Sequence, residues 1–143
     1  MLFMETESYP KVYLYRRIVQ AKLFIDLHYM ECIDVSNISD ESYFSKFHFI
    51  RLFKKIYGKT PHQYLISVRV EQAKTFFKLN MPVSEVCQAV GFESPSSFSG
   101  LFKRIVGMSP SAFMEKEELV RRQKQHSPLS FVPGCFAEKN GWK

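Results

Sequence analysis

Lys46, Arg51, Lys54, Lys55 and Lys59 fall in one stretch, 45 to 60, that contains no aspartate or glutamate. On a helix, residues three and four apart share a side, so this row can face a polyanion. Lysine ammoniums there neutralise phosphates, and the Arg51 guanidinium can fork onto the O6 and N7 acceptors of a guanine. Phe47 and Ile50, interleaved among the cations, suit thymine methyl groups. A second cationic pair, Lys103 and Arg104, stands 49 positions after Lys54 and Lys55.

That offset belongs to a repeat. The segment SKFHFIRLFKKIYGKTPHQY at 45 to 64 returns as SPSSFSGLFKRIVGMSPSAF at 94 to 113. Ser45, Phe49, Leu52, Phe53, Lys54, Ile56, Gly58 and Pro61 are identical to their counterparts in the second copy, and a duplicated surface implies a duplicated target. In the first copy Phe49, Leu52, Phe53 and Ile56 form the expected inward stripe. Lys46, Phe47, Ile50, Arg51, Lys54 and Lys55 then point outward. In the second copy Phe98, Leu101, Phe102 and Ile105 turn inward, leaving Ser96, Ser97, Ser99, Gly100, Lys103 and Arg104 outside. The second reading face is nearly stripped of long side chains.

The elements that must carry these rows are helical. Leu14, Ile18, Ala21, Ile25 and Met30 recur at helical spacing between Lys11 and Glu31, and Leu23, Phe24 and Leu27 widen this into a thick core-facing side. A short segment near Val35 to Ser42 leads to Ser45, the N-cap of a helix that Gly58 ends. Thr60-Pro61 opens a helix of about 19 residues, roughly 28 Å long, in which Tyr64, Leu65, Val68, Gln72, Phe76 and Leu79 keep the period. Val83 to Val90 is a short helix closed by Gly91. Ser94-Pro95 and Ser109-Pro110 open two more, the last running to about Glu118. Without any run of period-two alternation, the fold class is all-α, with about seven helices. The expected organisation is an N-terminal extension at 1–10, a first helix-turn-helix unit at 11–60, a connecting helix at 61–80, a second unit at 81–118, and a basic, proline-containing tail at 119–143.

Composition narrows the function. With 143 residues and 45% hydrophobic content the chain can bury a core, and a net charge of +6 favours an acidic partner. Cys32, Cys87 and Cys135 are odd in number and widely spaced, as expected of reduced, mostly buried thiols in a cytoplasmic protein. No apolar run approaches the ~18 residues of a membrane span. The histidines lack partners at metal spacing, and there is no glycine-rich phosphate loop or nucleophile–base grouping. The expectation is a protein that is not an enzyme and takes no cofactor or metal.

Short helix, tight turn, longer helix is the outline of a helix-turn-helix, whose second helix enters the major groove. The signature FSKFHFIRLFKKIYGKTPHQYL, then RVEQAK, then VSEVCQAVGFESPSSFSGLFKRIVGMSPSAF resembles the DNA-binding domain of the AraC/XylS family of bacterial transcription regulators, most closely its short MarA-like members. The resemblance covers roughly residues 11 to 118. It implies base reading by Phe47, Ile50 and Arg51 in the first unit and by Ser96, Ser97 and Gly100 in the second. The lysines Lys46, Lys54, Lys55, Lys59 and Lys103, with Arg104, fall to phosphates. Gly100 stands where the family often has arginine and Ser97 where it often has tyrosine, so the second half-site is expected to be read less stringently. The implied partner is double-stranded DNA, bound as a monomer, with RNA polymerase as a further partner. A non-specific nucleoid or RNA-binding module, or the DNA-binding fragment of a larger sensor-regulator, is the alternative.

Overall fold

The computed structural model describes residues 2–33 and 46–126, with side chains from Val12 onward. Six α-helices lie among them: α1 Leu2–His28, α2 Lys46–Tyr57, α3 Pro61–Lys78, α4 Val83–Ala89, α5 Pro95–Val106 and α6 Pro110–His126. The fold is all-α. The expected short segment at 35–42 and the Ser45 cap lie outside the described residues. The chain divides into two compact units, Met1–Gln72 with Gln88–Phe92, and Ala73–Cys87 with Glu93–Lys143.

Helix boundaries follow local chemistry. Gln63 N–H donates to Thr60 Oγ1 at 3.2 Å while Thr60 N–H donates to Gln63 Oε1 at 3.0 Å, a reciprocal cap that starts α3. Ser94 Oγ accepts from Ser97 N–H at 3.2 Å to start α5, and Ser109 Oγ accepts from Ala112 N–H at 3.2 Å to start α6. At the repeat-related C-termini, Gly58 N–H donates to Lys54 O and Gly107 N–H to Lys103 O, with φ of 77° and 92°. Left-handed backbone of this kind is least costly without a β-carbon.

In the first unit Ile18, Ala21 and Ile25 of α1 pack with Phe49 and Phe53 of α2 and Leu65 of α3. The thick core-facing side expected of α1 is not formed. Leu23, Phe24, Leu27 and Met30 are exposed, because the residues buried around the core cluster all lie on the Ile18, Ala21 and Ile25 side. The helix also starts well before Lys11, at Leu2. Behind its end, Arg69 is 9% exposed and donates through Nε to Tyr29 O at 2.8 Å and through Nη2 to Glu31 O at 2.9 Å. Its guanidinium also lies 5.6 Å from the centre of the Phe92 ring. Carbonyls at and just past the α1 terminus are thereby satisfied by a buried cation. Burial lowers the Arg69 pKa, yet an arginine stays charged. Nearby, a β-carbon on Gly91, whose φ is +89°, would meet the Met30 and Tyr29 carbonyl oxygens at 3.0 Å.

The second unit is built on phenylalanine. Phe77 lies 6.2 Å from Phe98, 5.5 Å from Phe102 and 6.1 Å from Phe113 between ring centres. Phe77 therefore takes the core position in α3 that the sequence period gave to Phe76, and Leu79 is 70% exposed. The α6 helix passes Glu118 and runs to His126. Glu118 accepts from both Arg121 and Arg122, and Arg121 Nη2 donates to Lys78 O at 2.8 Å, which holds the extra turns in place. The expected tail therefore begins as helix, and residues 127–143 lie outside the described residues.

Candidate nucleic-acid interface

The core contacts of α2 decide which side is free. Phe49 and Phe53 are buried, and Phe53 stacks obliquely on Tyr57 at 4.9 Å and edge-on to Tyr64 at 5.8 Å. Tyr57 thus occupies the inward position expected for Ile56, which is 40% exposed. The inward stripe is rotated by about one residue because two tyrosines fill the space beside Phe53. Ile105 in α5 is exposed at the equivalent position.

On the opposite side of α2 stand Phe47, 75% exposed, and the exposed Arg51, Lys54 and Lys55. Lys46 and Lys59, at either end, are also exposed. Ile50 differs from its expected neighbours: it is half-buried and packs against the core cluster, so it lies at the margin of this face. Arg51 Nε donates to Phe47 O at 3.4 Å, a long bond that costs little to exchange for a base edge. On α5, Ser96, Ser97, Gly100, Lys103 and Arg104 are exposed. The Ser97 hydroxyl accepts from Ser94 Oγ at 2.9 Å within the helix cap. A β-carbon on Gly100 would meet nothing within 4 Å, so this face is open as well as bare. Neither helix carries an acid.

Support for α2 comes from a chain that the sequence reading missed. Tyr64 OH donates to Asp26 Oδ1 at 2.6 Å, and Lys22 Nζ pairs with Asp26 Oδ2 at 2.7 Å, joining α3 to α1 beside the Phe53 ring. Burial, then the Asp26 hydrogen bond, push the Tyr64 pKa up to about 12. A raised folded-state pKa means that the tyrosine contribution is complete below the unfolded value near 10 and is lost as pH rises toward 12. Urea midpoints from pH 9 to 12 should fall more for the native chain than for Tyr64→Phe. Parallel curves would remove the tyrosine from the linkage.

Cys87 is buried, where desolvation raises its pKa, whereas Cys32 is exposed, against the expectation of mostly buried thiols. Among the described residues no group of histidine, cysteine and carboxylate side chains could hold a metal, and no helix is long and apolar enough to cross a membrane.

A helix-turn-helix domain family matches residues 38–116. The chain is 38% identical over 91 residues to a probable transcriptional regulator, LumQ, of Photobacterium leiognathi, covering 63% of this chain and 37% of LumQ. It thus spans well under half the length of that relative. Among solved structures, the DNA-binding domain of the global transcriptional factor AdpA, in complex with a target DNA, superposes with a TM-score of 0.64 at 29% identity, covering 78% of this chain and 96% of that one. The C-terminal domain of AraT, a response regulator from Geobacillus stearothermophilus, shares the fold with a TM-score of 0.65 at 22% identity over 70% of this chain and 84% of that domain. With its repeated motif, all-helical units and these relatives, the chain belongs to the AraC family of transcriptional regulators and carries that family's helix-turn-helix DNA-binding domain.

Proposed function

We propose that this chain regulates transcription by binding double-stranded DNA sequence-specifically, with α2 and α5 entering successive major-groove faces. The observation that carries this reading is the same acid-free, cation-bearing exposed side on both repeat-related helices. In it, Phe47, Ile50 and Arg51 read one half-site, and Ser96, Ser97 and Gly100 the other. Lys46, Lys54, Lys55, Lys59, Lys103 and Arg104 hold phosphates. One chain serves one asymmetric site, its two reading helices joined through the 18-residue α3. The target DNA in the AdpA complex supports a duplex as ligand. RNA polymerase is the further partner and the cytoplasm the compartment.

The bare α5 face favours a second reading, in which the protein binds nucleic acid with little sequence preference. Sites selected from a random duplex pool separate the two. A specific regulator should prefer its selected site to random duplex by ~10³ or more at fixed salt, with a footprint over two half-sites about one helical turn apart. A ratio near one, protection confined to a single half-turn, or a need for two-fold symmetric DNA would reject the proposal.

A further inference from the structure

We propose that two copies of this chain pair through α1 as an antiparallel, two-fold symmetric helix pair. The helix is apolar on two opposite sides. At about 100° per residue, Ile18, Ala21 and Ile25 share the side that is buried in the first unit. Val12, Tyr15, Val19, Leu23 and Leu27 line the other side, with Met30 in the turn just beyond, and these six are between 43 and 71% exposed. An apolar stripe of this length left exposed on a surface helix marks an interaction site.

The occupant follows from the spacing. Steps of three, four, four, four and three residues separate Val12, Tyr15, Val19, Leu23, Leu27 and Met30, a series that reads the same in both directions. Antiparallel alignment centred on Ala21 sets Tyr15 against Leu27 and Val19 against Leu23 of the second copy, and brings Val12 beside the turn that carries Met30. This is the self-complementary contact that a two-fold interface demands. The same alignment sets the exposed Arg16 against Asp26 of the second copy, twice by symmetry. Asp26 binds Lys22 and Tyr64, but a carboxylate has about four acceptor sites, which leaves room for a guanidinium. Parallel alignment would set Arg16 against Arg16. The five steps average about 3.6 residues per turn, the period of a straight α-helix, so the two helices can stay in register almost without supercoiling. Six residues at these exposures present roughly 600 Å² per copy, and complete burial in a pair covers about 1,200 Å², the lower end of the range for specific interfaces.

Sedimentation equilibrium of the full 16.8 kDa chain should show a mass that rises to twice that of one chain with concentration. Leu23→Glu should weaken the pair at least tenfold with unchanged helical circular dichroism, and Arg16→Glu should weaken it less. In a Cys32→Ser, Cys135→Ser background, Val19→Cys chains mixed with Leu23→Cys chains should form mixed disulfides faster than either forms with itself. Binding of one chain to one DNA site uses none of these side chains, so failure of the pairing leaves DNA recognition untouched. A monomer at all concentrations, indifference to Leu23→Glu, or dominant same-residue cross-links would overturn the proposal, the first assigning the stripe to a different partner.

Discussion

Phe77→Ala is expected to destabilise the second unit by about 3–5 kcal/mol, the cost of emptying a large aromatic site that its neighbours cannot refill. Phe77 is 1% exposed, and the rings of Phe98, Phe102 and Phe113 all lie within 6.2 Å of it between centres. Those three rings also contact one another, with Phe98–Phe102 at 5.7 Å and Phe102–Phe113 at 5.6 Å. Rigid rings held from several sides relax poorly into a gap. Urea unfolding should show the loss as a lower midpoint, and hydrogen exchange should place the largest loss of protection in α5 and α6. Phe76→Ala, at a half-buried position, should cost less. A larger effect at Phe76 would contradict the core assignment.

Arg51→Ala should weaken binding to the selected DNA by about 1–3 kcal/mol and relax preference at one base pair, since a forked guanidinium supplies discrimination as well as charge. The contrasting variant is Lys54→Ala with Lys103→Ala. Those two exposed lysines occupy equivalent positions in the repeat, and each neutralised phosphate contributes about 0.9 to the slope of log K against log salt. The double variant should weaken all duplexes nearly equally and reduce the slope by about 2. Titrations of both proteins on selected and random duplexes across salt distinguish the roles. A uniform loss for Arg51→Ala would make it a phosphate contact, and an unchanged slope would return the lysines to ordinary surface charge. Base changes under α2 should also cost more than changes under α5, whose Gly100 offers no side chain.

The repeat made α2, α5 and the start of α3 legible, because these boundaries are encoded within a few residues: Thr60 with Gln63, Ser94 with Ser97, Gly58 and Gly107. Exposure of Arg51, Lys54 and Lys103 was legible for the same reason, as a cation at helical spacing from a buried phenylalanine must face away from it. What the period could not decide was which of two adjacent apolar residues turns inward. Ile56 or Tyr57, and Phe76 or Phe77, differ by only 100° on the helix. Rings arriving from distant segments settle the choice, Tyr64 in one unit and Phe113 in the other. Arg69 was missed because a buried cation is compensated by carbonyls some 40 residues away, and no local pattern announces them. The sequence reading also placed Leu23 and Leu27 in the core because it counted apolar residues without limiting how many one helix face can bury.

Gly91 has a consequence for how this gene tolerates random change. Every missense substitution of a glycine codon introduces a β-carbon, and at this position that atom meets two main-chain oxygens, which cannot swing aside as a side chain can. The left-handed backbone adds strain of its own. Gly58 and Gly107 share that backbone but have open space around them, and asparagine, which the chain already places at φ 65° in Asn80, is an acceptable replacement there. In a library of point mutants, losses at codons 58 and 107 should therefore be graded by residue type, whereas codon 91 should have no permissive allele.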